Sequence, residues 1–467
     1  MQRLNFTIGG LLILALAFHS TLSAQDSYKD RKKFIDDETA VTDDPRRIPT
    51  GDAPRGPEGV LVLKGGNIFD GTGAKVRKGN VVIERNKIVK ILKPGTEDWP
   101  AEARVLDVTG KTVMPGMIDL HVHLTEAEEI STPAGQSFAQ SDNAERALLG
   151  AERMRYYIEC GITSIRDLAS HGMVPFYLKE WSRQNRIPGP RVFAAGQFIT
   201  GTGGHGAEGA LHPDPETDMT LQVDGADAWR KAVRYQFNKG ADVIKVGSHF
   251  SREEIAAAVK EAHALGLKVT ADAETFYIEW AVEAGVDMIE HPLPRTEKAI
   301  RMMAEKGVSS DVTIIPYVYI FDQMGGYHGS TSRRFTLTRE SLFDVGRRMY
   351  DAGVTIGVGL DIWGHMMKSL PEPYIAELKN LVAIGHSIPQ ALEAATRVSA
   401  EMLDMGDKLG AIETGKLADI VVVDGKPYEN LDDLRNVETV IRDGYIVVQD
   451  GRVNIPRHIP VDPEDFH

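Results

Sequence analysis

From Val60 onward, apolar side chains recur at every second position or in short β-branched runs. On that pattern Val60–Leu63, Asn80–Glu84, Lys87–Leu92 and Arg104–Val108 are predicted as strands. The same texture returns near the other end in Asp419–Val423, Val437–Arg442 and Tyr445–Gln449, with Asp443-Gly444 and Asp450-Gly451 as hairpin turns. Two β-rich ends flanking a different middle predict one small β-sandwich built from residues 58–115 and 405–467. The middle, 116–404, alternates strands with helices. Strands are expected at Met117–His123, Thr163–Leu168, Arg191–Ala195, Asp242–Gly247, Lys268–Asp272, Met288–His291, Ser310–Ile315 and Thr355–Asp361. Among the helices, Ser251–Leu265 is marked by a capping box, Ser251 with Glu254, and stopped by Gly266. Eight strands with intervening helices predict an α/β fold of the (β/α)8, TIM-like barrel type, in which polar residues at the C-terminal strand ends form the site.

The residues before Val60 change the picture of where the chain resides. Arg3, the apolar run Ile8–Phe18 and the small residues of Ser20–Ala24 read as a secretory signal peptide, 1–24, with cleavage expected after Ala24. The run is shorter than the ~20 residues a spanning helix needs, so no stable membrane insertion is expected after cleavage. An uncleaved anchor is the alternative. Export predicts a periplasmic or secreted protein. Residues 25–57 are densely charged and broken by Pro45, Pro49, Pro54 and Pro57, as in a linker or a surface-hugging arm. The net charge of −14 argues against a nucleic-acid partner, because phosphate binding needs clustered Lys and Arg. A small-molecule substrate is the expected partner. Cys160, the single cysteine of 467 residues, can form no internal disulfide and reads as a small buried apolar residue after the helix Ala144–Glu159. No surface pattern fixes the oligomeric state, so a homo-oligomer is left open.

The candidate chemistry begins at Val113–Leu124, which ends in His121 and His123. Residues two apart on a strand point to one face, so both imidazoles converge on one metal ion at a strand end. The other predicted strand ends carry further candidates. Strand four ends in Ile-Lys245-Val, strand six in Ile-Glu-His291 and strand eight in Gly-Leu-Asp361. A buried lysine is costly as a free ammonium. Reaction with CO2 to a carbamate would turn Lys245 into an anionic bridge between two metals.

These motifs resemble the metal-dependent amidohydrolase superfamily, in the branch of imidazolonepropionase-like and Xaa-Pro dipeptidase (prolidase-like) members. The resemblance covers about 58–455. It rests on Met114-Pro-Gly-Met-Ile-Asp-Leu-His-Val-His123, Gly161-Ile-Thr-Ser-Ile-Arg-Asp-Leu168, Thr202-Gly-Gly-His-Gly206, Val243-Ile-Lys-Val246, Ala284-Gly-Val-Asp-Met-Ile-Glu-His291 and Gly415-Lys-Leu-Ala-Asp-Ile-Val-Val-Val423. It implies two divalent metal ions, usually Zn2+. One would take His121, His123 and Asp361. Lys245, as its CO2 carbamate, would bridge to a second held in the family by histidines from strands five and six. Here strand five reads Lys268-Val-Thr-Ala-Asp272-Ala-Glu274, so Asp272 stands where the family carries histidine. Three readings stay open. Asp272 is a carboxylate ligand that favours a harder cation such as Mn2+, or the second metal is weak or absent, or the site is degenerate and binds without turnover. His263 lies in the preceding helix and reads as a packed residue.

The implied activity is cleavage of a C–N amide bond by metal-activated hydroxide, with Asp361 carrying the proton to the leaving nitrogen. A dipeptide such as Xaa-Pro or an N-acyl amino acid is the expected substrate. A cyclic amide, as in imidazolonepropionase, an ester or lactone, or a metal-poor pseudoenzyme are the alternatives. His205 in its glycine loop, His249 after strand four and Tyr317 after strand seven are the candidate substrate contacts. Trp363, His365 and Tyr319 flank the expected mouth.

Overall fold

Strands from the two ends of the chain pair in one nine-stranded mixed sheet. Its order runs Arg452–Val453, Tyr445–Gln449, Val437–Arg442, Ile420–Val423, Thr112–Pro115, Val60–Ile68, Arg77–Glu84 and Lys87–Leu92, with Arg104–Asp107 added beside Val60–Ile68. The computed structural model describes residues 56–126, 129–130, 137–138, 143–207, 218–324 and 337–455. The expected leader and nearly all of the 25–57 segment lie outside the described residues. Among the described residues, no helix is long and apolar enough to cross a membrane.

The chain ends were expected as a sandwich. Their strands are joined in a single continuous sheet, packed on an apolar cluster that includes Leu63, Val81, Ile83, Ile420 and Ile441. Alternation explains the pairing, because each strand turns one apolar row inward. The Asp-Gly turns form as expected: both Asp443-Gly444 and Asp450-Gly451 have positive φ at both positions, which right-handed twist between strands favours. Thr112–Pro115, read from sequence as the approach to the histidine strand, is a strand of this sheet, antiparallel to Ile420–Val423. Gly116 then lets the chain cross into the α/β region, since a Cβ there would lie 2.0 Å from Thr163 Oγ1.

The α/β region holds two parallel sheets. Met117–Val122, Ile162–Asp167 and Arg191–Ala194 form one. Phe198–Thr200, with Thr220–Gln222 on its outer side, precedes Val243–Gly247, Lys268–Asp272, Met288–Glu290, Ser309–Asp311 and Ile356–Gly357 in the other. Single hydrogen bonds link the two. Asp242 N donates to Ala194 O (2.8 Å), Leu120 N to Val358 O (2.8 Å) and Asp361 N to His121 O (2.8 Å). Helices lie between most strands, and the one over Arg252–Ala264 carries the expected Ser251/Glu254 capping box. Cys160 is buried, as expected, and burial pushes its thiol up to about 12.

Two strand assignments are corrected. Strand seven was expected over Ser310–Ile315, but it ends at Asp311, and Ile314–Met324 is helical. The buried Glu377 carboxylate explains this, accepting from Ile314 N and Ile315 N (2.8 Å each) and so capping the helix from another element. Strand eight, expected over Thr355–Asp361, makes ladder bonds only at Ile356–Gly357. Beyond it the backbone is held by single bonds, among them Leu360 N to Asp119 Oδ1 (3.0 Å).

Candidate metal centre

Strand alternation aims the site. Val122, Ile244, Val246, Val269, Ala271 and Ile289 join the main apolar cluster under the helices. Their neighbours His121, His123, Lys245, Asp272 and Glu290 therefore point to the opposite face. There they meet. His121 Nε2 is 3.4 Å and His123 Nε2 3.0 Å from Asp361 Oδ1. His291 Nε2 is 3.1 Å and His205 Nε2 3.2 Å from Asp272 Oδ2. Lys245 stands between the two groups, its Nζ 3.1 Å from His121 Nε2 and 3.3 Å from Asp272 Oδ2, and its side chain is only 2% exposed. His291 and Asp361 both adopt positive φ, at 63° and 50°. Such non-glycine conformations cost about 1–2 kcal/mol each, and here they turn the strand ends inward. His291 N to Asp311 O (3.0 Å) and Asp361 N to His121 O (2.8 Å) hold them.

Each strand histidine is also gripped from behind. His121 Nδ1 is 2.9 Å from Glu290 Oε2, His123 Nδ1 is 3.2 Å from the Ala169 carbonyl, and His291 Nδ1 is 2.7 Å from Thr313 Oγ1. With Glu290 and the Ala169 carbonyl on the Nδ1 side, His121 and His123 turn Nε2 toward the centre, the orientation a metal ligand needs. Burial, helped by Lys245, pushes His121 down to about 3, so its ring is neutral. Burial also lowers His123, but its hydrogen bond to Asp361 outweighs this and leaves the pKa raised. Burial alone would raise Asp272 and Asp361. For Asp272, His205, His291 and Lys245 reverse this and hold it well below the carboxylate range; for Asp361, His121 and His123 do the same. Three imidazoles with ionised carboxylates, His121 among them neutral, fit divalent metal ions. Donor atoms of His121, His291 and Asp361 lie within 4.8 Å of one another.

A second cluster of donors lies behind the first: His121, Glu290 and Asp311. It already holds a cation. Arg166 Nη2 is 2.8 Å from Glu290 Oε1 and 3.2 Å from Asp311 Oδ2, all fully buried. Arg166 overcomes the burial penalty on Glu290 and keeps it ionised, while burial and the Glu290 charge raise Asp311 and keep it protonated. This network orients His121 rather than binding an ion. Sequence reasoning missed it. The available signal was strand parity, since Arg166, Glu290 and Asp311 all sit at or near predicted strand ends.

The expected substrate contacts divide. Tyr317 is placed at the centre, its buried ring 5.7 Å edge-on from that of His291. His249 stands further out and half-buried, its ring 6.0 Å from Tyr277. His205, also expected to meet substrate, points at Asp272. Glu274 accepts from Ser248 Oγ (2.6 Å), and Tyr319 pairs with His365 (3.0 Å) beside Trp363. His263 is packed in its helix, bound to Asp287 (2.9 Å), as expected.

The model of the amidohydrolase family matches residues 112–447. The chain is 24% identical to an imidazolonepropionase of Geobacillus sp. (strain WCH70), covering 81% of this chain and 92% of that one. It is 25% identical to an ochratoxinase of Aspergillus niger, covering 80% and 82%. Among solved structures, a Xaa-Pro dipeptidase with methionine bound in its active site superposes with a TM-score of 0.74 at 28% identity, over 83% of this chain and 99% of that one. Such neighbours carry a TIM barrel with a second domain, the architecture to which the mixed sheets here correspond. The chain belongs to the amidohydrolase family and, with it, to the hydrolases of carbon–nitrogen bonds.

Proposed function

We propose that this protein is an exported, metal-dependent amidohydrolase that cleaves a C–N amide bond in a small molecule, a dipeptide such as Xaa-Pro or an N-acyl amino acid. The observation that carries the reading is the direction of the imidazoles. His121, His123 and His291 present Nε2 to one centre while Nδ1 is engaged behind, and buried Lys245 lies between Asp361's group and Asp272's. On this reading Lys245 would be a carbamate formed with CO2, and two divalent cations, Zn2+ in kind, would be held, one by His121, His123 and Asp361 and the other by Asp272 and His291. Such ions would supply acidity to water near neutral pH and polarisation of the scissile carbonyl. Asp361 accepts the proton of the attacking water and returns it to the leaving nitrogen. Tyr317 borders the substrate.

The links across Leu120–Val358 and Asp242–Ala194 support closure of the two parallel sheets into one (β/α)8 barrel over 116–404. The continuous sheet of 58–115 and 405–467 then folds over its cluster as a sandwich. Residues 1–24 serve as the signal peptide and 25–57 as the linker, which puts the enzyme in the periplasm or outside the cell. A cyclic amide is the second reading, favoured by the kinship to an imidazolonepropionase. Metal content measured together with turnover of a library of dipeptides, N-acyl amino acids and cyclic amides tests both readings. Two equivalents of metal with amidase turnover are expected. A metal-free protein inert across the library would sink the proposal.

A further inference from the structure

We propose that His205 supplies the imidazole that strand five lacks, so that the second cation is held by Asp272, His291 and His205. This rests on the binuclear reading above and goes beyond it, because it moves a ligand from a strand to the loop after strand three. Three distances motivate it. Asp272 Oδ2 is 3.2 Å from His205 Nε2, 3.1 Å from His291 Nε2 and 3.3 Å from Lys245 Nζ. Donors about 2.1 Å from a tetrahedral ion stand about 3.4 Å apart, so Asp272 Oδ2 already lies at ligand spacing from each of the two imidazoles. The first site has the same make-up, with two imidazole Nε2 atoms on one carboxylate at 3.4 and 3.0 Å. Each half of the centre then consists of two histidines and one aspartate, with Lys245 between.

The loop is built to deliver this side chain. Thr200 Oγ1 donates to Ser248 O (2.9 Å), Gly201 N to His249 O (3.0 Å) and His205 N to Ser248 O (2.5 Å), so the loop is fixed to the segment that follows Lys245. The glycines of Thr202-Gly-Gly-His-Gly206 allow that approach. A Cβ on Gly204 would lie 2.2 Å from Thr200 Oγ1 and 2.6 Å from Ser248 O. One on Gly206, where φ is +78°, would lie 2.1 Å from the Phe198 ring. A histidine held this rigidly can serve as a ligand without ordering a mobile loop on binding.

The test uses the full chain loaded with Zn2+ or Co2+ and dialysed against a competing chelator. Wild type should retain two equivalents. His205→Ala should retain one, with the second ion weakened by more than the roughly 10–100-fold that loss of a mere orienting partner costs. Adding Asp272→His to that variant should restore the second equivalent. His205→Cys, loaded with Co2+, should gain a thiolate-to-cobalt charge-transfer absorption, which only direct ligation produces. A His205→Ala protein holding two with unchanged affinity, or a His205→Cys protein without that absorption, would each overturn the assignment. A wild type holding fewer than two metal ions would overturn the binuclear reading itself.

Discussion

Asp361 differs from the centre's other aspartate because it faces both water and the imidazoles: its side chain is 21% exposed, against 4% for Asp272. A proton carrier must reach the substrate, and of the two aspartates this one is placed to do so. Asp361→Asn keeps its shape but removes the base. We expect kcat to fall by about 10²–10⁴-fold, with KM little changed; a variant with near-normal kcat would remove Asp361 from the proton path. Glu290 acts one layer behind. Glu290→Gln should disturb the Nδ1 contact of His121 and weaken the first metal by roughly 10–100-fold, read by chelator competition, while Asp272's group keeps its ion. Equal affinity at both sites would show that the Glu290–Arg166 network is merely structural. The difference between these two residues is also the difference in what the sequence disclosed. His121, His123, Lys245, His291 and Asp361 were legible because each ends a strand whose apolar alternation is plain. Arg166, Glu290 and Asp311 were not, because their meaning lies in contacts between strands up to 145 positions apart. The partner of His205 depends on the path of a glycine loop, which periodicity does not encode.

Elements with their own signals formed where expected. Lys87–Leu92, Lys268–Asp272 and Val437–Arg442 match their expected bounds, and Ser251 caps its helix. The first residues of the helix Ile314–Met324 were read into the preceding strand because Thr313, Ile314 and Ile315 are β-branched and the cap comes from Glu377 in the helix Glu372–Ile384. That cap has a pH signature. Burial raises the Glu377 carboxyl from 4.5 to about 7, against the opposing hydrogen bonds from Asn380, Ile314 and Ile315. Below pH 4.5 it is protonated in the folded and unfolded chain alike. Between 4.5 and about 7 only the unfolded chain releases the proton, so stability falls as pH rises. Above 7 the whole cost is present, on the order of 3 kcal/mol. Glu377→Gln cannot titrate. Denaturant unfolding at pH 5 and pH 8 should therefore show wild type losing more stability than the variant on going to the higher pH. Parallel losses would mean that Glu377 is ionised throughout, stabilised by its three donors.

At the scale of the whole molecule, the sheet from the chain ends is fastened to the α/β region at the face remote from the metal centre. Arg191 opens the strand Arg191–Ala194, so it sits at the end opposite the strand termini that carry ligands. Its Nη2 is 3.0 Å from Asp443 Oδ1 and 3.3 Å from Asp419 Oδ2, and Asp419 O accepts from Gly116 N (2.8 Å), where the chain crosses between sheets. Arg442 reaches back the other way, to Ser182 Oγ (2.9 Å) and Asn185 Oδ1 (3.1 Å). Burial lowers the Arg191 guanidinium, but the two aspartates more than offset this and hold it charged. Removing it strands two carboxylates in a buried seam. Arg191→Met should destabilise the fold by about 3–5 kcal/mol, and adding Asp419→Asn with Asp443→Asn should recover much of that, because the loss comes from unpaired charge rather than from lost attraction. Both proteins, while folded, should keep wild-type metal content and kcat. A stable Arg191→Met protein with impaired turnover would mean the opposite: that the seam shapes the centre instead of only supporting it.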